Sequence, residues 1–432
     1  MNILIHRRDL RINDNKIINN TNLIKTPIFI FDPKQIDEKE NKYFSNNLVM
    51  FLCQSLDELS EEYKNNNSYL NIFYGDTNKV IEDIINNYEV DNIMFNMDYS
   101  PYSKKRDSNI EDICKKNNIE LLTEEDMLLV PLNSNKNVSP NTSEPYKVFT
   151  PFMKNAKKYL VDSPENKNKN FSKIKIKSKY SINISDIHKF YKTNKNLHVK
   201  PGRKEGLKIL KNIKTKKKYN ECRNFLFYET THLSAYINLG VISIREVYSK
   251  ILKYLGINNN LINELYWRDF YYNILFYFPH IVGNSFKKNY DKIVWVNNKS
   301  HFDKWCKGET GFPIVDACMK QLNTTGYMHN RGRMIVSSFL VKDLQIDWRW
   351  GEKYFATQLV DYNISANNGG WQWSASTGTD SQPYFRIFNP WTQSEKFDND
   401  CTYIKKWLPI LKDIPNKEIH KWYKFSENYK IK

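Results

Sequence analysis

Five short apolar runs punctuate the first 130 residues, at 3–5, 27–31, 70–74, 92–96 and 119–122, each bounded by polar turns. Segments of helical length separate them, at 46–63, 77–87 and 102–116. Strands alternating with helices confine this region to a parallel sheet with helices on both faces. Ligands on such sheets sit beyond the carboxyl ends of the strands. The region holds no G-x-G-x-x-G and no P-loop, so an ordinary dinucleotide site is not expected in it. A charged stretch at 6–15, HRRDLRINDN, follows the first run and reads as a surface turn.

The remainder of the chain is built differently. All ten tryptophans lie between Trp267 and Trp422, and only one of the fourteen glycines, Gly75, falls in the first 200 residues. Residues 131–200 are rich in Asn, Ser, Pro and Lys and read as a connector, except for YKVFTPF at 146–152, whose aromatic side chains call for anchoring. From 201 onward the apolar residues recur with helical spacing. The expected architecture is therefore an α/β domain (1–130), an interdomain connector (131–200) and an all-helical domain (201–432).

Charge and cysteine usage bound the function. The formal net charge is +17, which favours a polyanionic partner, nucleic acid first. Six cysteines are scattered without a C-x-x-C pair, so neither a zinc site nor a disulfide framework is expected. No apolar run is long enough to span a membrane, and the N-terminus does not read as a secretory signal. A cytoplasmic protein is expected.

Three stretches carry candidate chemistry. Residues 261–278 form the clearest helix, with Glu264, Trp267, Arg268 and Tyr271 on one stripe. Residues 327–341 form a second, placing Asn330, Arg333 and Met334 on one face. In DYNISANNGGWQWSASTGTD (361–380), Gly369-Gly370 is expected to let the backbone break into a polar turn or approach a ligand closely, with a helix starting near Gln372. Trp371 and Trp373, two residues apart, would then point to different faces. Trp295, Trp348 and Trp371 recur at intervals. Trp can lose an electron, so three in contact would carry one between an interior cofactor and the surface.

WRDFYYNILFYFP, GETGFPIVDACMKQLNTTGYMHNRGRMIVSSFLVKDL and DYNISANNGGWQWSASTGTDSQPYFRIFNP resemble the flavin domain of the DNA photolyase/cryptochrome family. RRDLRINDN and YKVFTPF extend the likeness, which covers nearly the whole chain. Within the family it resembles a class I cyclobutane pyrimidine dimer photolyase. The resemblance implies an α/β antenna domain, a long connector and an all-helical domain holding U-shaped FAD, in a monomer acting on UV-damaged DNA. It implies light-driven electron transfer from FADH⁻ to a pyrimidine dimer flipped into a pocket beside the flavin, with the electron returned after the ring splits.

The resemblance also assigns residues. Tyr219, Thr230, Thr231, His232, Leu233 and Ser234 match flavin phosphate and ribityl contacts, His232 replacing a commoner Arg. Asn330, Arg333, Asp361, Tyr362 and Asn363 match positions around the flavin and adenine rings, Asn363 replacing a usual Asp. Asn367 faces flavin N5, where an amide accepts a hydrogen bond without adding negative charge. Glu264 hydrogen-bonds the dimer, Trp267 and Trp373 flank it, and Met334 with Asn330 floors the cavity. Arg223, Glu264, Arg268, Tyr271, Asn330, Arg331 and Gln393 match DNA-contacting positions, and charge adds Lys287, Lys288 and Arg386 as phosphate contacts. Trp371, Trp348 and Trp295 match the relay that reduces the flavin. The antenna domain is the expected place of a second chromophore, and a deazaflavin, a folate and no antenna all stay open. Tyr102 and Ser103 stand where an Asn-Glu pair would mark folate.

Two family alternatives are disfavoured. A (6-4) photolyase carries a His-His pair where this chain has His329-Asn330, and a signalling cryptochrome often carries Asp or Cys in place of Asn367.

Overall fold

A computed structural model of the chain describes residues 1–429. The chain divides into two compact units. The first is Met1–Thr193 with Val199–Thr215 and Leu233–Pro279, and the second is Asn194–His198, Lys216–His232 and His280–Lys432.

In the first unit the five apolar runs become strands β1 (Asn2–His6), β2 (Lys25–Phe31), β3 (Asn71–Tyr74), β4 (Asn92–Asn96) and β5 (Glu120–Glu124). They form one sheet in the order β3-β2-β1-β4-β5, and every pair is parallel. The order reverses between β1 and β4, the topological switch point of an open α/β sheet. Helices Asn46–Asn65, Thr77–Asn87 and Pro101–Lys116 start where the sequence supplies caps. The side chains of Ser45, Asp76 and Ser100 accept from backbone N–H groups of the first turn, satisfying donors that the helix leaves unpaired. Ile3, Ile5, Ile28, Ile30, Ile93 and Phe95 from the strands pack with Val80, Ile81, Ile84 and Ile110 from two of these helices.

The stretch at 6–15 is not a surface turn. His6, Arg7, Asp9, Arg11, Asp14 and Asn15 are all buried. Arg11 Nη2 lies 2.5 Å from Asp126 Oδ2 and Arg245 Nη2 lies 2.7 Å from Asp126 Oδ1, while Arg245 Nε reaches Asp14 at 3.1 Å. Burial opposes the charge on Asp126, but Arg11 and Arg245 outweigh it and hold the carboxyl well below its ordinary range. Charges so far from water persist only when paired, and removing one partner typically costs about 3–5 kcal/mol.

Most of the connector is irregular and lies along the first unit, with single bridges Lys25↔Phe171 and Phe73↔Ser181. Its aromatic piece forms the helix Phe149–Ala156. Phe149 stacks on Trp267 with ring centroids 3.6 Å apart, and Phe152 packs on Phe270 at 5.5 Å.

The second unit is helical. Helices Pro313–Thr325, Asn330–Ser338, Trp348–Gln358 and Ile364–Ala375 enclose a core that includes Trp305, Trp348, Trp371, Val336 and Phe355. The expected break at Gly369-Gly370 does not occur, because one helix runs from Ile364 to Ala375 through both glycines. Asn363 caps it, its Oδ1 accepting from Ala366 N at 3.1 Å and from Ser365 Oγ at 2.6 Å. One turn on, Gln372 Nε2 donates to Asn368 Oδ1 at 2.9 Å, and Asn368 Nδ2 donates to Glu352 Oε1 at 3.0 Å. These buried bonds offset the roughly 1 kcal/mol that each helical glycine costs relative to alanine. The second candidate helix is shorter than its apolar spacing suggests. His329 caps it by accepting from Arg331 N, and the run continues from Phe339 to Asp343 as a π-helical turn.

Candidate functional site

Helix Asn260–Tyr277 starts at Asn259, whose side chain accepts from Leu261 N. It buries Leu261, Leu265, Tyr266 and Phe270 and leaves Glu264, Trp267, Arg268 and Tyr271 half-buried on one stripe, as their spacing requires. One face of Trp267 is covered by Phe149. Arg268 is held inside the first unit, where Nη1 donates to Met127 O at 2.7 Å and the guanidinium lies 4.9 Å from the Tyr272 ring centre.

The other candidate residues cluster on helices of the second unit. Arg333 Nη2 donates to both Asp361 oxygens, at 3.0 and 2.9 Å, and its Nε donates to Met328 O at 2.9 Å. Asn330 is exposed at the helix start, with its amide 3.8 Å from the sulfur of Met334 one turn on. Asn367 is half-buried and its Nδ2 donates to Glu352 O at 3.0 Å. With one amide hydrogen committed to Glu352, the amide oxygen remains its acceptor. A Cβ added to Gly370, three residues further, would meet nothing within 4 Å. His329 is buried, and with Nδ1 accepting from Arg331 its Nε2 carries the proton and has no partner. Burial, then the charges of His232, Arg331 and Arg333, push His329 down to about 4, so it is neutral at pH 7.

Trp371 and Trp348 are buried in one apolar cluster, and half-buried Trp295 packs against it, a progression from interior to surface. Rings packed on Trp371 include Phe355, with centroids 5.1 Å apart, and Trp305, at 6.1 Å. Spacing had not singled out Trp305. Trp373 is half-buried against Phe388.

Arg331 lies 4.2 Å over Phe397 and donates from Nη2 to Asn224 Oδ1 at 2.7 Å. Burial, then the charges of Arg223 and Arg386, push it down to about 10. Three guanidinium groups thus share one neighbourhood, a costly arrangement that a polyanion would relieve. Gln393 Oε1 is buried without a partner, and Lys287 and Lys288 line a separate hollow with Asn289 and Tyr290.

Tyr219 is buried at the start of the helix Tyr219–Cys222. In the TTHLS loop, Thr230 Oγ1 lies 3.4 Å from the Tyr327 hydroxyl, and His232 adopts φ 54°, uncommon outside glycine. The loop also holds a cluster that cysteine arithmetic could not reveal: His198, Glu229 and His232 come together. The E-x-x-H spacing of Glu229 and His232 was a legible half of that signal. Tyr102 and Ser103 are committed within the first unit, Tyr102 to Asp32 and Thr77, and Ser103 to Asp98 at 2.9 Å.

Comparison with known proteins accounts for this combination. Residues 2–168 match the DNA photolyase family and residues 261–432 match the FAD binding domain of DNA photolyase. The deoxyribodipyrimidine photo-lyase of Buchnera aphidicola from Acyrthosiphon pisum is 36% identical over 459 residues, spanning 100% of this chain and 92% of that one. An archaeal photolyase structure from Sulfolobus tokodaii, containing two FAD molecules, shares 40% identity at a TM-score of 0.87 and covers 98% of this chain and 93% of its own. A Synechocystis cryptochrome structure shares 26% identity at a TM-score of 0.88 and covers 100% of this chain and 94% of its own. A parallel antenna-type sheet, a tryptophan-lined helical unit and matches along nearly the full length agree: the chain belongs to the DNA photolyase family.

Proposed function

We infer that this protein is a deoxyribodipyrimidine photo-lyase, splitting pyrimidine dimers in DNA with light and FAD. The helix Ile364–Ala375 carries the inference, because it joins a half-buried amide (Asn367), a buried Trp (Trp371) and a half-buried Trp (Trp373) on one rigid element.

The residues present fit a flavin. A Cβ on Gly370 would stand in open space, so its absence is not demanded by packing within the chain and suits a ring lying close to the backbone. The His329 Nε2–H is a buried donor without a protein partner, beside the Arg333–Asp361 pair. When bound and reduced, FAD supplies the photoexcited electron that opens the cyclobutane ring. Asn367 offers its oxygen to the ring edge without adding charge. Arg333, oriented by Asp361, supplies a cation beside it. Asn330 and Tyr362 border the same site, while Asn363 contributes through its backbone, since its side chain is used as the helix cap. Tyr219 and the loop Thr230, Thr231, His232, Leu233 and Ser234 hold the phosphates and ribityl chain. Trp295, Trp348 and Trp371 give an electron a path from the surface inward.

For the lesion, Glu264 hydrogen-bonds the base carbonyl, Trp267 and Trp373 hold the base rings, and Met334 lines the floor. Arg223, Arg331, Arg386, Lys287, Lys288 and Gln393 contact DNA, while Arg268 acts by holding its helix in place. The protein works as a cytoplasmic monomer. No helix among the described residues is long and apolar enough to cross a membrane. The N-terminal unit takes the antenna chromophore, a deazaflavin or a folate.

The test is repair of UV-irradiated oligo(dT) by the purified, flavin-loaded protein, read as loss of dimers in light and in darkness. Light-dependent repair is expected. A flavin-bearing protein that repairs nothing in light would point instead to a cryptochrome-type signalling role.

A further inference from the structure

His198, Glu229 and His232 come from two separate stretches of the second unit. His198 Nε2 lies 2.8 Å from His232 Nδ1, and Glu229 Oε2 lies 2.6 Å from His232 Nε2. One ligating atom from each residue falls within 4.8 Å of the others. The histidine rings are held in place. His198 N donates to Thr325 O at 3.0 Å, and its ring stacks on buried Tyr327 with centroids 4.2 Å apart and planes 6° apart. His232 packs edge-on against the same Tyr327 at 5.2 Å. Orientation of this kind is what supporting residues supply to imidazole ligands.

An N···N contact between two imidazoles holds one proton between two lone-pair positions. A tetrahedral metal at about 2.0–2.1 Å from each nitrogen needs them roughly 3.3 Å apart, so replacing the proton moves the rings by about half an ångström. Glu229, whose side chain is 63% exposed, can swing to supply the third ligand while His232 turns one nitrogen to the metal. Two imidazoles and a carboxylate form a donor set for zinc and similar divalent ions, and three protein ligands leave a fourth position open. The nearby cations count against a metal. Lys216 Nζ donates to Glu229 O at 2.5 Å, and the charge of Lys406 bears on both His198 and Glu229. They weaken cation binding and favour an anionic fourth ligand.

We propose that His198, Glu229 and His232 form a divalent-metal site of the zinc type, with its open position available to an anion held by the Thr230–Ser234 loop. This second part rests on the flavin-phosphate role given to that loop: the bound ion supplies the counter-charge that an arginine at position 232 would otherwise carry.

Chelator-treated, full-length protein is titrated with Zn²⁺ against a chromophoric chelator, and bound metal is counted by mass spectrometry. One equivalent per chain is expected, with affinity at least tenfold weaker in Glu229→Gln, an exposed position where folding is not at stake, and lost in His198→Ala. No stoichiometric zinc, or equal affinity in the variants, overturns the site. In parallel, release of FAD is followed by its fluorescence with and without Zn²⁺. Zinc slows release several-fold in the wild type and leaves His232→Arg, which lacks the site but carries its own cation, unchanged. A stoichiometric ion that does not alter release in the wild type overturns the counter-charge role while leaving the metal site standing.

Discussion

Glu352 gives the sharpest prediction about this fold. It is 4% exposed, its Oε1 accepts from Asn368 Nδ2 at 3.0 Å, and its main-chain oxygen accepts from Asn367 Nδ2. Burial lifts its carboxyl from 4.5 to about 7, with the Asn368 bond and Arg349 pulling the other way. The native state therefore binds this proton more tightly than the unfolded chain. The contribution of Glu352 to stability is greatest below pH 4.5, falls as pH rises from there, and stops falling above about 7. At about 1.36 kcal/mol per pH unit, the total loss is capped at roughly 3 kcal/mol. Glu352→Gln keeps the acceptor for Asn368 and stays neutral at every pH. Its new amide donor imposes an offset of about 1 kcal/mol if unpaired, but that offset does not vary with pH. Nine of the ten tryptophans lie in the second unit, so their fluorescence reports its thermal unfolding. Relative to the wild type, the variant's Tm should rise between pH 5 and 8 by roughly 5–10 °C, at 2–4 °C per kcal/mol. Parallel wild-type and variant curves across that range would refute the reasoning.

Gly370→Ala should stabilise the flavin-free protein by about 0.5–1 kcal/mol, since the Cβ meets no protein atom, yet lower flavin retention; unchanged retention would remove Gly370 from the flavin face. Gly351→Ala drives a Cβ into the Trp371 ring and should cost about 1–3 kcal/mol, seen as a lower unfolding midpoint. Trp371→Phe should abolish photoreduction of oxidised flavin but spare repair once the flavin is chemically reduced; repair lost under those conditions contradicts a relay role. Arg331→Ala should weaken binding to undamaged and damaged duplexes alike and reduce the salt slope by about one.

Much of the fold is written locally. The five strands are short apolar runs with turns on either side, and caps such as Ser45 and Asp76 lie just ahead of their helices, so neighbouring residues suffice to place them. The burial of residues 6–15 is not local. Arg245, which pairs with Asp14, stands 231 positions away, and without that partner a run of charge reads as solvent-facing. The Arg333–Asp361 pair is of the same kind: helical spacing gives Arg333 a face, but only likeness to a family placed both residues around the flavin in advance. His198 and His232 meet because the chain brings the residue before Val199 alongside Thr325, a contact that no motif encodes.

The Asn-Gly-Gly segment shows how packing overrides a local expectation. Two adjacent glycines favour a break, and by propensity alone the helix ought to begin after them. What holds it together is its buried side, where Asn368 and Gln372 bond each other one turn apart and Ser374 Oγ lies 2.6 Å from Ser337 Oγ on the Asn330–Ser338 helix. Continuity changes the functional argument. On a flexible turn, Asn367, Trp371 and Trp373 would be three independent groups; on a helix their separations are fixed. At about 100° per residue, Asn367 and Trp371 stand roughly 40° apart on one face while Trp373 is about 200° from Trp371. Burial follows that division, with Trp371 3% exposed and Trp373 half-buried. Gly370 then acts through what it omits. It leaves a place beside Asn367 where a Cβ would touch nothing of the protein, and the helix accepts the propensity cost because Asn368, Gln372 and Ser374 are bonded along it.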